Sequence, residues 1–130
     1  MKDTYDALCN KHGLSLLLLH GSQATGKTHQ ESDIDIAIVR DTKKTDIDML
    51  ALQQDLSELF GSDRIDITDL THADPLLQFA VLSKSTLLAG NLGDYQRHQL
   101  MAFHQYNDYL PFLKEEKRIV AQKLQSYVTT

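Results

Sequence analysis

The sequence predicts one α/β or α+β domain that ends in a helical tail. Its 130 residues are 42% apolar and 24% charged, which is typical of a soluble globular domain with a core of its own. Segments in which apolar and polar residues alternate predict strands, whereas apolar residues spaced by three or four positions predict helices. The segment from about residue 94 onward is rich in aromatic residues and mostly helical in pattern.

The first third of the chain predicts one helix and two strands. A short helix is expected over residues 3–12, because Gly13 stands where a helix-ending glycine belongs. Residues 14–20 form an apolar run that Gly21 stops, and residues 33–39 alternate between Asp and apolar side chains. Both segments are typical of strands.

The middle of the chain predicts a longer helix, a third strand and a short helix. Apolar residues step by three and four positions over 45–60, and Gly61 follows them, which indicates an amphipathic helix of about four turns. Residues 64–70 alternate again and predict a strand. Pro75 suits the first position of a helix that continues through residues 76–82.

A short extended piece over 86–88 precedes the helical tail. We divide the chain into a domain over 1–93 and a tail over 94–130, which we expect to pack on the domain and to offer a possible partner-binding surface through its aromatic residues. Pro111 lies inside the tail and should either bend its helix or divide it into two.

Charge and cysteine content exclude several classes of function. The formal net charge of −5 has the wrong sign for broad contact with a nucleic-acid backbone, so no direct nucleic-acid binding is expected. A single cysteine, Cys9, cannot form an internal disulfide, which makes the cytoplasm the expected compartment. No apolar run approaches the ~20 residues of a membrane-spanning helix, and no targeting segment is recognisable.

Two phosphate-binding patterns overlap at Gly21. Residues 21–28, GSQATGKT, match the P-loop pattern, and the same Gly21-Ser22 pair is followed by Asp33 and Asp35. A P-loop leads into a helix that crosses to a parallel strand, but only four residues separate Thr28 from the strand that begins at Asp33. The aspartate pattern is therefore the favoured interpretation.

The aspartates of the second and third strands can form one acidic group. Asp33 and Asp35 are two residues apart in a strand and so share a face, while the isoleucines between and beyond them face the opposite way. We expect the isoleucine face to pack in the hydrophobic core and the aspartate face to carry the catalytic site. Asp66 joins the pair if the third strand lies beside the second.

Three converging carboxylates repel one another unless cations lie between them. Hard oxygen ligands favour Mg²⁺ or Mn²⁺ over zinc. Two such ions, about 4 Å apart, suit in-line displacement at phosphorus. Amides of the glycine turn and the hydroxyl of Ser22 would then hold the phosphates. The histidines, including His20 beside the turn, fit no metal-binding pattern and are left outside the predicted site.

These motif residues resemble the minimal nucleotidyltransferases (MNT) of the DNA polymerase β superfamily, and in size the MNT antitoxins of HEPN/MNT toxin–antitoxin pairs. The resemblance covers residues 14 to about 90. It implies a small mixed β-sheet flanked by helices. It also implies that Asp33 and Asp35 hold the metal ions, that Asp66 completes the site, and that Gly21 and Ser22 bind the triphosphate.

The resemblance further implies a Mg²⁺-dependent antitoxin that transfers AMP from ATP to a tyrosine of a cognate HEPN ribonuclease toxin in a hetero-oligomer. Many members carry basic residues near the turn where this chain has Gln23 and Thr25, and Lys27 is a candidate substitute as well as an ordinary surface lysine. Two alternatives remain open: nucleotidyl transfer to a small molecule such as an antibiotic, and neutralisation of a toxin by binding alone.

Overall fold

The computed structural model describes residues 2–21, 34–43 and 46–128. Its elements, in chain order, are α1 (Lys2–His12), β1 (Leu14–His20), β2 (Ile34–Arg40), α2 (Met49–Phe60), β3 (Ile65–Asp69), α3 (Pro75–Leu82), β4 (Ser85–Gly90) and α4 (Leu92–Val128).

The four strands form one mixed sheet in the order β3-β2-β1-β4. β1 pairs antiparallel with both β2 and β4, and β2 pairs parallel with β3. This confirms the predicted fold class of a small mixed sheet flanked by helices. The antiparallel pairing of β1 with β2 also contradicts the P-loop alternative, because a P-loop connects parallel strands.

One face of the sheet, called here the first face, is apolar over most of its area, and it ends in an ion pair between Arg40 of β2 and Asp69 of β3 at 2.8 Å. α1 and α2 cover its apolar core, and His12 of α1 ties the two helices together through a 2.6 Å contact between its Nε2 and Asp55 Oδ2. The buried members of this core are Tyr5, Leu8, Cys9, Leu14, Leu17, Ile36, Ile38, Leu52, Leu56, Ile65 and Ala89.

The opposite face, called here the second face, carries another core under α3 and α4. Its buried members are Leu16, Leu18, Ala37, Val39, Leu70, Val81, Leu82, Tyr95 and Ala102. The expectation that the aspartate face would serve chemistry alone is therefore wrong. Beyond Asp35 the same face of β2 continues with Ala37 and Val39, and burying these side chains under two helices stabilises the fold.

α2 is shorter than the sequence predicts. It begins at Met49 and not at Thr45, because Asp48 adopts an extended conformation and its side chain accepts a hydrogen bond from the amide of Ala51 at 3.1 Å. The predicted end of the helix is confirmed. Gly61 has a φ of 66°, and its backbone N–H donates a hydrogen bond to the carbonyl oxygen of Ser57.

α4 is one continuous helix of 37 residues that runs through Pro111, so the two-helix alternative is wrong. Its first half packs on α3, where the rings of Phe79 and Tyr106 stack with centroids 4.2 Å apart. Within the described part of the chain no helix, α4 included, is long and apolar enough to cross a membrane.

Candidate functional site

Asp35 and Asp66 are direct neighbours on parallel strands. The register pairs Asp35 of β2 with Asp66 of β3, so their side chains leave the same face of the sheet from strands about 4.8 Å apart. Asp35 is half-buried and Asp66 is exposed. We predicted that Asp66 would join the aspartates of β2 if β3 lay beside β2. β3 does lie beside β2, and Asp66 is the direct neighbour of Asp35.

Two further polar residues continue this line across the sheet. His20 of β1 is paired with Asp35 on one side and with Ser85 of β4 on the other. Directly paired residues share a face. Asp66, Asp35, His20 and Ser85 thus form a row that crosses all four strands, called here the polar row.

His20 lies next to the predicted site, although the sequence analysis placed this histidine outside it. A histidine next to a glycine turn carries no metal-binding spacing, and only the strand register brings it beside Asp35. Its position at the end of a strand, immediately before Gly21, was the one available signal in the sequence.

The imidazole of His20 is half-buried between the carboxylates and β4. Burial lowers the pKa of His20, while the negative charges of Asp35 and Asp66 act in the opposite direction. Its Nε2 is enclosed and has no hydrogen-bond partner within the described residues. Among the described residues, His20 Nε2 is therefore a polar atom held beside the acidic pair without a hydrogen bond.

Ser85 ends the polar row in a structural contact. Its hydroxyl and the hydroxyl of Tyr95 are 2.6 Å apart, and Tyr95 also donates to the backbone carbonyl of Ser85 at 3.1 Å. Tyr95 is buried in the first turn of α4. This end of the row anchors α4 to the sheet, whereas the Asp66 end is open to solvent.

Gly21 lies against the carboxylate of Asp35. A Cβ built on Gly21 would overlap Asp35 Oδ2 and would lie 3.3 Å from Asp35 Cγ. The backbone at Gly21 has a φ of 76°, a left-handed conformation that glycine adopts without strain. The end of β1 is thus shaped around the carboxylate.

The donor set of this site fits a hard divalent cation. Two carboxylates on neighbouring strands supply oxygen ligands, and the one thiol, that of Cys9, is buried against the first face. Across residues 2–21, 34–43 and 46–128, no three His, Cys, Asp or Glu side chains form a complete metal site. Asp33, Ser22 and Lys27 of the predicted site lie outside the described residues.

The sequence of the chain matches a known protein family and several of its members. Residues 4–91 match the family model described as "Polymerase beta, Nucleotidyltransferase". The chain is 32% identical over 90 residues to the protein adenylyltransferase MntA of Aphanizomenon flos-aquae, and 35% identical over 81 residues to that of Shewanella oneidensis. Each match covers 62% of this chain, which spans 60% and 58% of the two relatives.

Solved structures share the fold over nearly the whole chain. A chain in a crystal structure of a toxin–antitoxin complex with AMP-PNP superimposes with a TM-score of 0.70 at 25% identity, covering 95% of this chain and 98% of that one. A chain from the complex of tri-AMPylated Shewanella oneidensis HEPN toxin with MNT antitoxin gives 0.63 at 23% identity, with 95% of each chain covered, and shows the fold. With a family model matched over more than half its length, the chain belongs to the polymerase beta nucleotidyltransferase family.

Proposed function

We propose that this protein is an antitoxin that transfers AMP from ATP to a tyrosine of a HEPN ribonuclease toxin, and that it needs divalent cations to do so. The observation that carries the proposal is the direct pairing of Asp35 with Asp66 in a member of a nucleotidyltransferase family. The names of the relatives, which are protein adenylyltransferases, support the AMP transfer.

The carboxylates carry the chemistry in this proposal. Asp33, Asp35 and Asp66 hold two Mg²⁺ ions, with Mn²⁺ as a substitute. When bound, these ions polarise the phosphate oxygens and stabilise the charge of the leaving group. The tyrosine oxygen forms a bond to the α-phosphorus, the bond to the β-phosphate oxygen breaks, and pyrophosphate leaves. Asp66, the most exposed carboxylate of the polar row, accepts the phenol proton.

Gly21, Ser22 and Lys27 are the proposed triphosphate contacts. Gly21 stands at the end of β1 against the carboxylate of Asp35, which supports its place in this set. A Lys27→Ala variant is expected to weaken nucleotide binding without abolishing turnover. Loss of all turnover in that variant would show that Lys27 is essential for the transfer and contradict its assignment as a binding contact only. The single cysteine suits the reducing cytoplasm, where we place the reaction.

The second half of α4, residues 109–128, is the proposed surface for the toxin. Large apolar side chains are exposed along it, with 67% exposure for Phe112, 55% for Val120 and 61% for Leu124. Exposed apolar surface of this kind is typical of protein interfaces. The similar solved chains, matched over 95% of this chain, come from toxin–antitoxin complexes, which supports a toxin as the partner.

The enzymatic proposal is tested by removing the metal ligands. The Asp33→Ala/Asp35→Ala variant is expected to form no AMP adduct on the toxin, measured by intact-protein mass spectrometry with ATP and Mg²⁺, and to leave the ribonuclease active. Asp46→Ala, an exposed aspartate away from the polar row, serves as the control and should act like the natural chain. If the double variant neutralises the toxin as well as the natural chain while making no adduct, neutralisation by binding alone is the correct function.

The docking surface is tested separately. Leu124→Ser is expected to weaken binding of the toxin while leaving AMP-PNP binding unchanged. Leu50→Ser on α2 is the matched control, because Leu50 is 69% exposed on another helix. Equal toxin binding by the natural chain and both variants, measured by calorimetry, would exclude the second half of α4 as the interface.

A further inference from the structure

Gly21, the residue that follows β1, lies against the carboxylate of Asp35. Gly21 has a φ of 76°, and a Cβ at this position would overlap Asp35 Oδ2 and lie 3.5 Å from Asp35 Cβ. Any side chain at position 21 would therefore compete with the carboxylate for the same space.

Of the two groups, the carboxylate is the one able to move. Its oxygens lie at the free end of a short side chain, which rotates about two bonds. The backbone at Gly21 is held by the neighbouring pairs of His20 with Asp35 and with Ser85. A side chain at position 21 would thus turn the carboxylate away from its present direction while the sheet keeps its register.

A divalent cation is sensitive to such a rotation. Metal ligands must keep their direction closely, because coordination distances and angles vary little. We propose that Gly21 is a positioning residue for Asp35, and that the missing side chain determines the direction in which this carboxylate meets the metal ion. This inference rests on the proposed function and adds a metal-directed role to the phosphate contact assigned to Gly21.

Gly61 offers a matched control within the same chain. It has a similar φ of 66°, but a Cβ at Gly61 would meet nothing within 4 Å. Gly61→Ala therefore also places an alanine at a left-handed φ, without any contact to a carboxylate. It controls for the general effect of such a substitution on the fold.

The experiment titrates Mn²⁺ into the purified full chain without nucleotide or toxin, with calorimetry as the readout. Gly21→Ala is expected to bind Mn²⁺ about tenfold more weakly or worse, in the range seen when groups that orient metal ligands are changed. Gly61→Ala is expected to bind like the natural chain, and the two variants are expected to unfold at similar temperatures.

Unchanged Mn²⁺ affinity in Gly21→Ala overturns the inference even where AMP-PNP binding is weakened, because the glycine would then act on phosphates alone. If Gly21→Ala does not fold, the Gly21→Ala/Asp35→Ala variant decides. Recovered folding supports the contact with the Asp35 side chain, and continued failure to fold contradicts it. A natural chain that binds no Mn²⁺ would overturn the metal site itself, and with it both proposals.

Discussion

The two faces of the sheet are built from alternate residues of the same strands, yet they differ at the start of β2, where one is apolar and the other carries a carboxylate. On β2 the first face presents Ile34, Ile36 and Ile38, while the second presents Asp35 before Ala37 and Val39. α1 and α2 cover the apolar core of the first face, including the start of β2. α3 and α4 cover the second face up to the polar row, so the carboxylates of Asp35 and Asp66 lie beyond the core that these helices form.

Asp35 should be needed for activity and almost irrelevant to folding. We expect Asp35→Asn to lower AMP transfer by more than about 100-fold, because even groups that only orient a metal ligand cost about 10- to 100-fold. The free energy of unfolding should change by less than about 1 kcal/mol, since no described packing depends on the charge. Single-turnover transfer assays and denaturant unfolding measure the two effects. A large loss of stability would contradict the division between the faces.

Its neighbour Ile36 should behave in the opposite way. Ile36 is fully buried on the first face, and Ile36→Ala should lower the free energy of unfolding by about 2–5 kcal/mol through lost burial and a cavity. Transfer per folded molecule should not change. Urea unfolding gives the stability, and activity normalised to the folded fraction is the control. Full stability in this variant would show that the first face is not the main core.

The thiol of Cys9 reports on the closure of the first face. Burial, with a smaller effect from Asp6, raises the pKa of Cys9 from 9.0 to about 11. At pH 8 the thiolate is then about 100-fold scarcer than in the unfolded chain. Because the folded pKa is the higher one, this thiol opposes folding only as the pH rises from 9 towards 11. Alkylation should be slow in the native chain and fast in denaturant; fast native alkylation would indicate an open face.

The smallest expected effect marks the structural end of the polar row. Tyr95→Phe removes the hydroxyl that makes two hydrogen bonds with Ser85 and should lower the free energy of unfolding by about 1–2 kcal/mol, since one hydrogen bond contributes about 1 kcal/mol. Mn²⁺ binding should be unchanged, because His20 separates Ser85 from the carboxylates. Weakened Mn²⁺ binding would instead extend the site across the whole row.

Much of this architecture follows from local pattern. The alternation around Asp35 and Asp66 predicts both strands, and Pro75 predicts the start of α3. The structure adds the N-cap, Asp74, whose side chain accepts a hydrogen bond from the amide of Leu77 at 2.9 Å. Prediction from local pattern is wrong where tertiary packing overrides the preference of a residue. Pro111 does not divide α4, although proline disfavours a helix interior.

The sequence by itself determined which residues share a side of each strand, because side chains alternate along any extended chain. It thereby determined that Asp35 faces away from Ile34 and Ile36. Only the tertiary structure decided that Asp66 and His20 become the neighbours of Asp35, since that depends on strand order and register. These are set by how two separate cores pack on the sheet, and no local pattern contains that information.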